Sequence, residues 1–243
     1  MTTTMTPQRR AALVSGIFYI ATFVFSFPAL AFYAGVVDDP NWVLGAGGDG
    51  GVLWGAFVEI LTAVSCIGTA VAVYPVIKRF GPARAVGFIA SRTVEALLIL
   101  TGVLALLSVY TLRGHGGDAA TLTVTASALV ALKDWTFLLG PGLAPAVNAF
   151  CFATILRRHG LVPRIIPTIG LVGAPLLVVS SFTTMFGGWE QASAPAFAMA
   201  LPIAAWEFAV GTYMIVRGFR IGEPAVAVAD TERSVAASAL VGA

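Results

Sequence analysis

Lys133-Asp134-Trp135-Thr136-Phe137-Leu138-Leu139-Gly140-Pro141-Gly142, continuing to Asn148, decides how the chain is read. Two charges and an indole head an apolar run, Gly-Pro-Gly breaks it, and an amide follows deep inside it. In water such an arrangement has no purpose. In a bilayer it describes the mouth and first third of a spanning helix, around which the other polar groups of the chain should gather.

Composition supports lipid as the solvent. Only 11% of the 243 residues are charged and mean hydropathy is +0.90, whereas a soluble domain carries roughly 25% charged residues. So few charges cannot cover a globule of this size. The net charge of +2 is small and no basic stripe appears, which excludes nucleic acid as an expected partner. Cys66 and Cys151 lie in apolar runs without a CxxC spacing and read as reduced, packed thiols. His115 and His159, the only histidines, fall in loops. An intramembrane bis-His haem or a histidine-built zinc site is therefore excluded, and no cofactor or metal is expected.

A span needs about 20 mostly apolar residues. Six runs meet this requirement, at 11–34, 52–77, 85–112, 135–156, 165–186 and 196–216. The expected fold is all-α, a polytopic membrane bundle of six transmembrane helices over residues 9–220. Residues 1–8 and 221–243 are expected to be disordered tails. Ala29-Leu30-Ala31 imitates a signal-peptidase site, but its run is too long for a signal peptide and carries Tyr19, Ser26 and Pro28. The Thr- and Ala-rich stretch Ala120–Leu132 reads either as an interfacial helix or as the outer extension of the fourth span.

Orientation follows from lysine and arginine in short loops. With a cytoplasmic N-terminus, the inner side collects Arg9, Arg10, Lys78, Arg79, Arg84, Arg157, Arg158, Arg164, Arg217, Arg220 and Arg233. Only Arg113 and Lys133 remain outside. Both termini are thus expected to be cytoplasmic, in a multi-pass protein of the cytoplasmic membrane. Trp42, Trp54, Trp135 and Trp189 fall near the outer interface, where an aromatic belt belongs. The two inner turns, Lys78-Arg79-Phe80-Gly81 and Arg157-Arg158-His159-Gly160, resemble each other. Basic residues and glycine suit any helix C-terminus, and that explanation is preferred to an internal repeat.

Glu59, Arg92, Glu95 and Glu207 fall inside spans, where each charge costs at least about 2.5 kcal/mol and needs a partner. At 1.5 Å rise per residue, Glu59 lies about 10 Å and Glu207 about 13 Å below the outer face. Glu95 lies about 15 Å above the inner face, with Arg92 and Asn148 about 10 Å above it. Asp134 and Lys133 head the layers at the outer surface. Arg92 and Glu95 share a helical face by their spacing. Asp134, Pro141 and Asn148 are seven apart and so also share a face.

Pro141 should free the carbonyl of Phe137. Gly140, Pro141 and Gly142 thus mark either a packing kink or a functional break. Three carboxyls against one guanidinium are unbalanced. Some glutamates hold protons, or Lys133 or a bound cation compensates.

Several of these residues also carry a resemblance. Gly47–Gly51 with Gly55-x-x-x-Glu59, Arg92-x-x-Glu95, Asp134-Trp135-Thr136-Phe137-Leu138-Leu139-Gly140-Pro141-Gly142, Asn148, Gly160-Leu161-Val162-Pro163-Arg164 and Trp206-Glu207 resemble bacterial membrane proteins grouped as domain-of-unknown-function family 4386. The resemblance covers about residues 8–220 and implies a multi-span inner-membrane protein without supplying an activity.

The residues lead to a transporter or proton-linked permease-like protein. Glu59, Arg92, Glu95, Asn148 and Glu207 would line an outward-facing cavity for a proton, cation or small solute, with the lipid bilayer as partner. The competing expectations are a non-catalytic lipid- or partner-binding subunit and an intramembrane enzyme using paired carboxyls.

Overall fold

The structure is a computed structural model and describes residues 5–45 and 50–220. The expected tail 221–243 and residues 1–4 lie outside the described residues. Pro7 and Gln8 of the expected N-terminal tail lie in the first helix. Thr6 caps the first helix by accepting the amide of Arg9 at 3.3 Å, and Pro7 takes the first helical position, where no donor is needed.

The described residues form seven α-helices: α1 (Pro7–Asp38), α2 (Gly50–Ile77), α3 (Pro82–Arg113), α4 (Ala119–Leu139), α5 (Ala144–Arg158), α6 (Ile165–Met185) and α7 (Ala194–Val216). There is no strand among the described residues. α4 and α5 are two halves of one span, Ala119–Arg158, so six segments are long and apolar enough to cross a membrane. Neighbours in sequence pack side by side, and α7 returns to α1, so the spans close into a ring.

α4 settles the status of the Thr- and Ala-rich stretch. Residues 120–132 run without interruption into the fourth span. Asp118 starts that helix by accepting the amide and the hydroxyl of Thr121, both at 2.9 Å. Those two hydrogen bonds hold its carboxyl below the ordinary aspartate range. At the far end of the span, α5 stops at Gly160, whose φ of 64° favours glycine. The Leu161 amide then closes the turn on the Leu156 carbonyl at 3.0 Å.

The surface is inverted relative to a soluble protein. Phe27, Leu104, Phe150, Val172 and Leu201 are exposed, while Ser15, Thr69, Arg92, Glu95 and Asn148 are buried. Burying such groups is favourable only when the exterior is apolar, since lipid offers no hydrogen bonds. Without a hydrophobic drive between helices, close contact comes from small residues. α1 and α7 cross where a side-chain carbon on Gly16 would stand 2.7 Å from the Gly211 carbonyl.

Two apolar clusters flank a polar waist. At the end bearing Arg157 and Arg158, Phe152 of α5 stacks on Phe88 of α3 at 4.8 Å and meets Trp206 of α7 edge-on at 6.1 Å. At the opposite end, Ala29, Tyr33, Val52, Leu106 and Val109 pack around Trp42 and Val43 of a short 3-10 turn, Trp42–Leu44. The expected aromatic belt is therefore incomplete. Trp54 and Trp135 are exposed, but Trp42 is buried under the Arg113 guanidinium, 4.0 Å from its ring.

Candidate functional site

The polar waist contains two charge assemblies. The first joins α2 to α4. Lys133 Nζ lies 2.5 and 2.7 Å from the two carboxylate oxygens of Glu59. Both residues are buried, and the ammonium also faces the rings of Tyr33 at 5.2 Å and Phe137 at 5.8 Å. Gly102 of α3 makes room for it, since a side-chain carbon there would meet Lys133 Cδ and Thr136 Oγ1 at 2.8 Å.

Lys133 is thus not an outer-surface charge. The expected span started at Trp135, but α4 starts sixteen residues earlier. Lys133 therefore sits about 20 Å along a continuous helix, at the depth of Glu59. Asp134, the next residue, is turned away. It is exposed and borders a separate hollow beside Asp39, Trp42 and Ser127. Asp134 does not belong to the polar interior. Its expected face with Pro141 and Asn148 assumed one unbroken helix, and the break at residues 140–143 resets the phase between them.

The second assembly is centred on Arg92. Its Nη1 donates to Glu95 Oε2 at 3.1 Å and its Nη2 to Glu207 Oε1 at 2.6 Å. Asn148 Nδ2 donates to the same Glu95 oxygen at 2.7 Å. The guanidinium lies 4.8 Å from the Tyr19 ring and 5.9 Å from that of Phe88, with Cys66 Sγ 3.8 Å from Nη1. Side chains from α1, α2, α3 and α7 thus meet at one cation, and Asn148 of α5 joins them through Glu95. Arg92 Nε and Asn148 Oδ1 are buried and make no hydrogen bond within the described protein, so the network is not closed. The expected layering paired Glu207 with Glu59. The reach of Arg92 instead draws Glu207 into the Glu95 layer.

The Gly-Pro-Gly turn borders both assemblies. Pro141 cannot donate, yet the Phe137 carbonyl is not left free, because the Gly142 amide reaches it at 2.9 Å. The Gly142 carbonyl accepts from Ser181 of α6 at 2.8 Å, and the Ala144 carbonyl from Ser91 of α3 at 3.3 Å. Neighbouring helices satisfy the break, as membrane burial requires. Gly140 lies against α3, where a side-chain carbon would be 3.0 Å from Leu98 Cβ.

Between the assemblies lies a cavity of about 240 Å³. Glu59, Arg92, Glu95 and Glu207 give it a charged floor, while Phe23, Phe27, Phe137, Pro141, Pro145 and Phe197 form its walls. Asn148 does not line it but stands behind Glu95. Phe27, Leu30 and Phe197 are exposed where α1 and α7 border the cavity. The contact of Tyr19 and Cys66 with Arg92 is a tertiary fact with no local signal in the sequence.

An inside-out bundle with a polar waist, and with six segments among the described residues long and apolar enough to cross a membrane, defines an integral membrane protein. The sequence matches the family described as a domain of unknown function (DUF4386) over residues 14–218, and the chain belongs to that family. Comparison with curated proteins and with solved structures finds no match.

Proposed function

We propose that the protein is a small transporter or proton-linked permease-like protein of the cytoplasmic membrane, with both termini cytoplasmic. The observation that carries this reading is a charge imbalance facing a cavity. Among the described residues, the ion-pair partners of Glu59, Glu95 and Glu207 are Lys133 and Arg92 alone. With every group ionised, one negative charge is left over. Glu59 is matched by Lys133, so the surplus belongs to the Arg92 assembly.

A surplus carboxylate in a low-dielectric site is neutralised by a proton or by a cationic ligand. The two are alternatives at the same oxygens, and their exchange is the basis of proton-linked binding. Glu207 is the more accessible of the two carboxyls that Arg92 holds, its side chain 12% exposed against 6% for Glu95. The cavity is smaller than the roughly 300 Å³ at which drug-sized pockets begin, which favours a small solute. A fully paired core would favour a lipid- or partner-binding subunit, whereas Arg92 Nε and Asn148 Oδ1 make no hydrogen bond among the described residues. The basic residues clustered at one end support the orientation, more so now that Lys133 is assigned to the interior.

The test is proton and cation flux in proteoliposomes holding wild type, Glu95→Gln or Glu207→Gln. Loss of pH-dependent flux in Glu207→Gln, with thermal stability within about 1 kcal/mol of wild type, is expected, because Arg92 keeps Glu95 as its partner. Unchanged flux in both variants would sink the proposal.

A further inference from the structure

A second cavity, of about 580 Å³, lies at the basic end, where the start of α3, the end of α5 and the start of α6 meet. Arg84, Arg157, Arg158 and Arg164 surround it, and Phe150, Thr154 and Leu171 line the side nearer the membrane interior. Among the described residues, none of the four guanidiniums forms an ion pair. Arg157 is positioned by its Nε, which donates to Thr168 Oγ1 at 3.1 Å. The α5–α6 turn brings Arg164 close to Arg157 and Arg158, and the left-handed Gly160 makes that turn.

We propose that this cavity binds the headgroup of an anionic phospholipid carrying two phosphates. Arginine presents a planar fork of donors that fits phosphate oxygens in pairs. Four such forks around one hollow exceed what a single phosphate can satisfy. The apolar side assigns the source of the phosphate. Phe150 is 59% exposed and sits two turns deeper in α5 than Arg157, where a bound lipid lays its acyl chain. A soluble phosphate has no use for that wall. The site lies apart from the charged waist and holds whether or not the protein transports a solute.

The experiment is lipid retention by the purified full-length protein, read by native mass spectrometry after exchange into micelles doped with cardiolipin, phosphatidylglycerol or phosphatidylcholine. Cardiolipin is expected to bind most tightly, and the double variant Arg84→Gln/Arg158→Gln to weaken it about tenfold or more. A matched control, Arg10→Gln/Arg79→Gln, removes equal charge from the same end outside the cavity and should weaken it less than about threefold. Equal losses in the two double variants would mean diffuse attraction to a basic face and overturn the site. So would equal retention of cardiolipin and phosphatidylcholine. Displacement of cardiolipin by pyrophosphate at millimolar concentration would assign the site to a soluble anion and overturn the lipid reading. Should the first variant fail to fold, Phe150→Gln tests the acyl wall and is expected to shorten retention of cardiolipin, and unchanged retention would overturn the lipid reading.

Discussion

The two charge assemblies of the waist use the same chemistry to different ends. Lys133 and Glu59 form a one-to-one pair in which both carboxylate oxygens are taken by one ammonium. Arg92 instead serves two carboxylates and leaves its own Nε unpaired. The first is balanced in charge, one ammonium to one carboxylate. The second carries an acid beyond neutrality beside a cavity. The depth of a buried charge therefore says little about its role. The count of partners around it separates the two assemblies.

Breaking the closed pair should have the largest effect. Lys133→Met leaves Glu59 buried without a counter-charge, and removing one partner of a buried pair costs about 3–5 kcal/mol. Thermal unfolding in detergent should report that loss. The double variant Lys133→Met/Glu59→Gln removes both charges and is expected to recover most of it. A single variant as stable as wild type would show that Glu59 already holds a proton, and the contrast between the assemblies would collapse.

How far the sequence could be read depended on the register of each helix. Arg92 and Glu95 lie in the middle of a long, unambiguous apolar run, so their depth and common face were legible. Glu59 and Glu207 were recognisable as interior groups for the same reason, but their partners lie 74 and 115 residues away and leave no local trace. Lys133 was misplaced because the Thr- and Ala-rich start of α4 is only weakly apolar. Hydropathy then set the span at Trp135 and put the lysine outside. The error at Asp134 has another origin. A seven-residue spacing marks one face only while the helix is continuous, and Gly140-Pro141-Gly142 ends that continuity.

Gly102 provides a finer test of the closed pair, because it changes space and leaves charge alone. A methyl group there would stand 2.8 Å from Lys133 Cδ and from Thr136 Oγ1. The lysine stem can give way, whereas the hydroxyl is held by its own bond to the Lys133 carbonyl at 2.9 Å. Gly102→Ala should therefore cost about 1–3 kcal/mol, in the range of overpacked cores. Gly102→Ala added to Lys133→Met should cost less than the sum of the two, since the shortened side chain relieves the crowding. Strict additivity would mean that α3 and α4 separate as a whole, without a local displacement of Lys133.

The smallest effect tests the wall between the assemblies. Ser181 donates to the Gly142 carbonyl at 2.8 Å and also to the Leu177 carbonyl of its own helix at 2.9 Å. With one hydroxyl proton for two acceptors, its link to the turn is half-shared, and Ser181→Ala should cost only about 0.6 kcal/mol, a typical interhelical bond in a membrane bundle. The consequence for the open assembly should be larger than that figure suggests. Pro141 and Pro145 border the cavity that holds Glu207, and the Gly142 carbonyl is the link that fastens this segment to α6. Hydrogen exchange at the Gly142 and Ala144 amides should quicken in Ser181→Ala, while exchange around Lys133 stays as it was. If both regions quicken together, the waist is one cooperative unit and the closed pair is not independent of the open one. If neither does, the bonds of the turn to its own carbonyls at Phe137 and Gly140 hold it without help from α6.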